Sequence, residues 1–367
     1  MGCLAGQGQP ASPRHGGGQV GEPGLAGRNH RRGRPPLSQS ADLPGLLSSI
    51  LVAHGCSPHV ATILAANCAT AERDGSTSHG LFRMRHYVST LRSGWVDGRA
   101  EPVIADAAPG FVRADAKNGF AQIALAEAAP LLVQKARTNG IAVLAIRQSH
   151  HLGALYLDVE PFALQGLVAL TVVNSIAVVA PHAGSRAVYG TNPIAFAAPT
   201  ADGAPLVFDQ ATSTAALGDV RVAQQAGHDL PYGAGLDRAG QPTNDPAAIL
   251  DGGALLPFGG YKGAAISLMV EILCAALVGA NFSFEVDSSA YPGAKTGCTG
   301  QTIIVIDPAA GSDGLAPLPA RVSTLVAALQ DAGQTYIPGG RRLIARSQPS
   351  APIDPAVWTE LRSLLPA

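Results

Sequence analysis

Between Phe120 and Ile146 the chain changes its period without a gap. Phe120–Asn139 carries apolar residues at helical spacing. Gly140 can take the left-handed backbone that stops a helix, and Ile141–Ile146 then runs as a short apolar, β-branched segment. A helix delivered straight into a buried strand commits the chain to an α/β layer architecture. Leu167–Val173, Ile194–Ala198, Leu206–Phe208 and Thr302–Ile306 are further strand candidates, each bounded by Gly, Pro or Asn. The chain has 367 residues, 47% of them hydrophobic and 14% charged, enough for two or three subdomains around a sizeable core.

Helices flank this region. Ala41–Arg73 reads as an amphipathic pair: Leu46, Leu47, Ile50 and Leu51 face one way, and Gly55 ends the first helix. Ser57 can cap the second, and Pro58 suits its first turn. Leu81–Leu91 reads as another helix, followed by a Gly/Pro-rich loop to Pro109. Gly263–Gly279 is an apolar helix entered through Pro257–Gly263; its length and the mid-helix Glu271 mark a buried core helix, not a membrane span. Arg321–Asp331 reads as helix, Ile337–Arg342 as a turn with two cations, and Ala356–Leu365 as a final helix. The expected organisation is a disordered Gly/Pro/Arg-rich tail (1–40), a helical N-terminal region (41–115), an α/β domain (116–310) and a C-terminal helical region (311–367) packing back on the N-terminal part.

The formal net charge of −1 gives no global pull toward nucleic acid or an anionic membrane. Arg31-Arg32-Gly33-Arg34 leaves one competing reading, nucleic-acid binding by the tail, which predicts salt-sensitive binding lost on deleting residues 1–40. Five scattered cysteines without CxxC spacing read as reduced thiols, and no apolar signal segment precedes them, so a cytoplasmic protein is expected. His150 and His151 point to opposite faces if extended, so no metal site is expected. The tail holds a literal GxGxxG, Gly16–Gly21, but no strand precedes it and no helix follows. No other copy occurs.

Asp74-Gly75-Ser76-Thr77-Ser78-His79-Gly80-Leu81-Phe82-Arg83 is the chemically densest stretch. Arg83 can grip a carboxylate with two parallel hydrogen bonds, His79 can move a proton near neutral pH, and Ser78 can donate or accept. That set suits redox chemistry at the carbon next to a carboxylate.

Four segments carry a resemblance: Ser78–Arg83, Ser149-His150-His151-Leu152-Gly153, Gly190-Thr191-Asn192-Pro193-Ile194-Ala195, and Pro257–Gly263. In this order, over residues 41 to 345, they resemble the malate/L-lactate dehydrogenase family that lacks a Rossmann fold. The resemblance implies an α/β fold with a mainly antiparallel cofactor-binding sheet, placed in 116–310, and a helical substrate and dimerisation region. Asp74–Arg83, Tyr87–Gly98, Gly140–Ile146, Asp158–Phe162, Gly190–Ala198 and Leu255–Gly263 are most similar to its Δ1-piperideine-2-carboxylate/Δ1-pyrroline-2-carboxylate reductase branch. That implies a homodimer reducing a cyclic imino acid to L-pipecolate or L-proline with NADPH.

Asp219 separates the branches. The resemblance places lysine there in hydroxyacid dehydrogenases and aspartate in imine reductases. A carboxylate stabilises a protonated imine nitrogen or a protonated His79, which lysine would oppose. The resemblance further implies a Ser78, His79 and Asp219 proton relay, with Arg83 on the substrate carboxylate and Thr191 on the substrate. His151, Leu152, Gly153, Ala154 and Leu155 would run along the cofactor, and Asp209, Gln210 and Ala211 would touch its ribose or amide. Gly260 and Lys262 open a helix whose N–H groups can meet the pyrophosphate, and Arg341 and Arg342 are candidates for the 2′-phosphate. The alternative is an NAD(P)-dependent 2-hydroxyacid dehydrogenase with His151 as the acid/base.

Overall fold

The computed structural model describes residues 43–313, 316–349 and 353–366. The N-terminal tail with its Gly16–Gly21 motif, its arginine cluster and Cys3 lies outside those residues.

The helices Leu43–Ala53 and Pro58–Arg73 form as their punctuation dictates. Gly55 takes φ 102° between them, and the Ser57 hydroxyl accepts from Val60 N at 3.3 Å. The next helix starts later than expected, at Met84, after two short 3-10 turns, Thr77–His79 and Leu81–Arg83. The loop expected up to Pro109 instead contains a strand, β1 (Val103–Ala108). It pairs antiparallel with β2 (Phe111–Phe120). The boundary placed at 115/116 falls inside β2.

The long helix spans Ala121–Asn139, stops at Gly140 with φ 79°, and feeds β3 (Ile141–His150) directly. Next come the helix Tyr156–Ala163 and strands β4 (Val168–Val173), β5 (Ile194–Ala198) and β6 (Leu206–Gln210). Beyond them lie the helix Leu217–Ala226, which the sequence pattern did not show, and a small sheet of β7 (Gly235–Leu236), β8 (Pro242–Thr243) and β9 (Ala254–Leu255). β10 (Thr299–Ile306) returns to the centre of the main sheet. That sheet has seven strands in the order β1-β2-β3-β10-β4-β5-β6. Only β2–β3 is parallel, so the sheet is mainly antiparallel, as the resemblance implies.

The apolar helix runs Tyr261–Glu271 and loosens into a π-helical segment, Ile272–Ala276. It lies on β4 and β10, where the Cys274 thiol meets Val172 O and Thr302 Oγ1 donates to Leu273 O. The expected Ile337–Arg342 turn is shorter. Gly339 takes φ 87° and the helix Gly340–Ser347 follows, carrying both arginines. Leu361 of the last helix, Pro355–Ser363, is buried with Leu47, Leu51, Leu64 and Tyr87 of the N-terminal helices. Among the described residues no helix is long and apolar enough to cross a membrane.

Candidate active site

The cavity lies at one edge of the main sheet. β3 ends there at His150, β4 at Val173 and β6 at Gln210, while β5 enters from the Gly190–Pro193 turn. It holds about 350 Å³. It is lined by Ser78, His79, Arg83, His151 to Tyr156, Thr191, Asp209, Gln210, Ala211, Gly218, Arg221, Lys295 and Arg342, among others. Most of the expected site is thus assembled from five chain segments. Asp219, Gly260, Lys262 and Arg341 are not in this lining. Gly260 caps its helix beside His182, Lys262 is exposed, and Arg341 is exposed with its guanidinium 5.4 Å from the Tyr336 ring. Asp219 is exposed on the first turn of Leu217–Ala226, directly after Gly218, and makes no side-chain hydrogen bond among the described residues.

The Ser78–Arg83 turn has a defined polarity. Arg83 Nη2 lies 3.3 Å from His79 Nε2. A guanidinium only donates, so Nε2 accepts and the ring proton sits on Nδ1. Nδ1 is 3.1 Å from Ser78 Oγ, so it donates there and leaves the hydroxyl proton free for the cavity. Burial, then the charge of Arg83, then His151 push the His79 pKa down to about 3, so the imidazole is neutral. Arg83 reaches only His79 and, at 3.5 Å, His86 Nδ1; no carboxylate among the described residues pairs with it, and its Nε is buried without a partner.

A second histidine is set differently. His151 Nε2 lies 2.8 Å from Asp158 Oδ2, with both side chains nearly buried, and Gln301 Nε2 donates to the same oxygen at 2.8 Å. His150 turns away, its Nε2 2.9 Å from Asn118 Oδ1, so the two imidazoles do face apart. Among the described residues no group of three or more His, Cys, Asp or Glu could hold a metal ion.

The opposite end of the cavity is built on Arg342. Its guanidinium lies 4.3 Å from the Tyr156 ring centroid and donates to Val207 O at 2.7 Å. Asp209 accepts from Tyr156 N at 3.0 Å, and burial raises its pKa. One helical turn beyond Arg342, Arg346 donates to Asp74 at 2.5 and 2.9 Å and to Glu160 at 2.7 and 2.8 Å, while Tyr156 Oη donates to Asp74 at 2.8 Å. This cluster ties the Arg342 helix to the end of Pro58–Arg73, just before the Ser78 turn. Thr191 accepts through its carbonyl from Thr212 N and Oγ1, and its neighbour Asn192 is held by Glu271. The carboxylate of Glu271 accepts from Asn192 Nδ2 at 2.8 Å, from Asn174 Nδ2 at 3.2 Å and from both N and Oγ of Ser283. This leaves Asn192 in a left-handed turn with φ 40°.

Asp158, Gln301, Arg346, Arg221 and Lys295 escaped the sequence reading. Only Glu271, a carboxylate inside an apolar helix, announced itself, because a charge there needs partners.

An antiparallel sheet edge thus presents a neutral Ser–His pair and an arginine without a carboxylate partner among the described residues to one cavity, with a second, carboxylate-paired imidazole beside them, an arrangement chemically able to move a proton and to receive an anion. The chain belongs to the malate/L-lactate dehydrogenase family, whose model matches residues 39–362, and is an oxidoreductase. It is 58% identical over 306 residues to a Δ1-pyrroline-2-carboxylate/Δ1-piperideine-2-carboxylate reductase of Pseudomonas syringae pv. tomato, covering 83% of this chain and 89% of that one. It is 59% identical over 301 residues to the Pseudomonas putida protein of the same name, covering 82% and 88%. The crystal structure of Δ1-piperideine-2-carboxylate reductase from P. syringae pv. tomato superposes with a TM-score of 0.86 at 55% identity, covering 89% of this chain and 98% of that one.

Proposed function

We propose that this protein reduces cyclic imino acids, Δ1-piperideine-2-carboxylate to L-pipecolate and Δ1-pyrroline-2-carboxylate to L-proline, with NADPH. The observation that carries the reading is Arg83: a half-buried guanidinium with no carboxylate partner among the described residues, facing the cavity beside Ser78 and His79. It can receive a substrate carboxylate through two parallel hydrogen bonds. The relatives' names support the imine.

The residues at the far end fit the cofactor. Arg342 lines the cavity with no carboxylate partner among the described residues and is available to a phosphate. Asp209, Gln210 and Ala211 line it beside the His151–Leu155 segment, in reach of a ribose or amide. When bound there, NADPH supplies the hydride. Gly260, Lys262 and Arg341 keep their pyrophosphate and 2′-phosphate roles only if a bound cofactor extends past this cavity.

The protein's own part is the proton. Burial first, and then Arg83, whose guanidinium donates to His79 Nε2, keep the ring neutral. A substrate carboxylate on Arg83 offsets that cation and competes for its donors, which frees Nε2 and raises the affinity of the ring for a proton. The imidazolium then passes its Nδ1 proton through Ser78 Oγ to the imine nitrogen. Asp219 acts from the first turn of the neighbouring helix, whose Gly218 faces Ser78: a Cβ on Gly218 would lie 3.9 Å from that of Ser78. Its charge favours the protonated relay without a direct bond. The helix face of Tyr261, Leu268, Met269, Ile272 and Leu277 is exposed and apolar, which supports a homodimer. The free thiols of Cys56, Cys68, Cys274 and Cys298 support a cytoplasmic setting.

The His151–Asp158 pair favours a second reading, a 2-hydroxyacid dehydrogenase in which that paired imidazole is the acid/base. NADPH oxidation with Δ1-piperideine-2-carboxylate, Δ1-pyrroline-2-carboxylate, pyruvate and oxaloacetate side by side separates them. Turnover of the imines alone is expected; turnover of the keto acids alone would sink the imine reading. Asp219→Lys should depress imine reduction far more than NADPH binding, and an unchanged rate would remove Asp219 from the relay.

A further inference from the structure

The substrate end of the cavity carries more positive charge than a monocarboxylate needs. Three cations from three segments meet there: Arg83, Arg221 on the helix Leu217–Ala226, and Lys295 in the segment before β10. None of the three has a carboxylate within ion-pair distance among the described residues, and neither Arg221 nor Lys295 makes a side-chain hydrogen bond there. Their placement is specific. Lys295 N donates to Thr90 Oγ1 at 3.1 Å, and Thr90 Oγ1 donates to His86 O at 2.8 Å, so Lys295 lies alongside the helix that carries His86. The helix of Arg221 begins against Ser78 through Gly218. His86, in contact with Arg83, feels all of them: burial first, then Arg83, Arg85, Arg221 and Lys295 push its pKa down to about 3. Asp219 does not neutralise Arg221, because residues two apart on a helix do not face each other. The carboxylate in the lining, Asp209, sits by Tyr156 at the Arg342 end.

We propose that the substrate end is built for a dianion, a cyclic imine bearing a second carboxylate that Arg221 and Lys295 receive while Arg83 holds the first. This rests on the imine-reductase reading and extends its substrate class. The step balances as for the monocarboxylate. The C=N π bond gives way to one C–H bond made with the hydride of NADPH and one N–H bond made with a proton, and NADP+ is the oxidised product. A cofactor diphosphate would also attract two cations, so the test must separate the two anions.

The test compares Δ1-piperideine-2-carboxylate with Δ1-piperideine-2,6-dicarboxylate, each with NADPH, on wild type, Arg221→Gln and Lys295→Gln, with NADPH affinity followed by its fluorescence. Wild type is expected to reduce both imines. In each variant the ratio of kcat/KM for the dicarboxylate to that for the monocarboxylate should fall by about tenfold or more, the scale of one charge-assisted hydrogen bond, with NADPH affinity retained. Reduction of the monocarboxylate alone by wild type overturns the dianion proposal and leaves the imine reading intact. A variant that loses NADPH affinity at an unchanged ratio overturns it too and assigns the cations to the diphosphate. Reduction of neither imine overturns both readings.

Discussion

Replacing Arg346 by methionine should destabilise the fold by about 3 kcal/mol. The side chains it pairs are deeply placed, with Asp74 0% and Glu160 10% exposed against 25% for Arg346 itself. Removing one partner of such a buried pair costs about 3–5 kcal/mol, because the carboxylates left behind have lost water and gained nothing. Arg73 stays 3.2 Å from Asp74, but it is half-exposed and contributes under about 1 kcal/mol, which puts the expectation at the low end. Urea denaturation at constant m reads the difference from the midpoint. The pH dependence is a second check. Burial pushes the Asp74 pKa up, yet hydrogen bonds from Arg346, Tyr156 and Arg73 outweigh it and hold the carboxyl below its usual range. A depressed carboxyl pKa stabilises the fold above the unfolded value of about 3.9 and loses that contribution as pH falls through the folded value. The gap between wild type and variant should therefore be full near neutrality and close in acid. Adding Asp74→Asn and Glu160→Gln to Arg346→Met should recover most of the loss. A deficit below about 1 kcal/mol, or one as large at about pH 3 as at about pH 7, would refute this account of the cluster. Arg342 shares the helix, so NADPH affinity should fall alongside stability.

Three further outcomes follow from the site. Arg83→Gln should lower kcat/KM for the imino acid by about a hundredfold or more at saturating NADPH, mainly through KM, as two charge-assisted hydrogen bonds are lost; Arg83→Lys should recover only part, since an ammonium cannot grip a carboxylate two-pronged. Gly153→Ala would place a Cβ 2.6 Å from both Asn67 Oδ1 and Gln122 Nε2, a crowding that should cost about 1–3 kcal/mol in a denaturation midpoint. Glu271→Gln puts an amide among donors; a loss of about 2 kcal/mol and a raised KM through Thr191 are expected, and wild-type values for both would remove Glu271 as the anchor of that turn.

Five of the seven main-sheet strands were legible: β3, β4, β5 and β10 are largely buried, and burial writes itself into an apolar run, while β6 shows the short run Leu-Val-Phe; β2, whose sequence is mostly polar or small, was missed. β1 was missed too: Val-Ile-Ala-Asp-Ala-Ala is a largely exposed edge strand held by its ladder to β2, and a ladder leaves no mark on one strand's composition. The helix Gly340–Ser347 was hidden behind Pro338-Gly339-Gly340, which reads as a turn; what holds it is Arg346, whose partners lie 186 and 272 residues away.

The same division runs through the site. The chain by itself determined the local pieces: the Ser78–Arg83 turn, the Gly140 stop, the Gly190–Pro193 turn and the alternation that sends His150 and His151 apart. Each depends on backbone preference and spacing within a few residues. Only the tertiary structure decided which pieces share a cavity and in what electrical state. It brought Arg342, Arg221 and Lys295 in, left Asp219, Gly260, Lys262 and Arg341 outside the lining, paired His151 with Asp158, and holds His79 neutral. Those outcomes depend on desolvation and on distances between residues remote in sequence, and no local pattern encodes either.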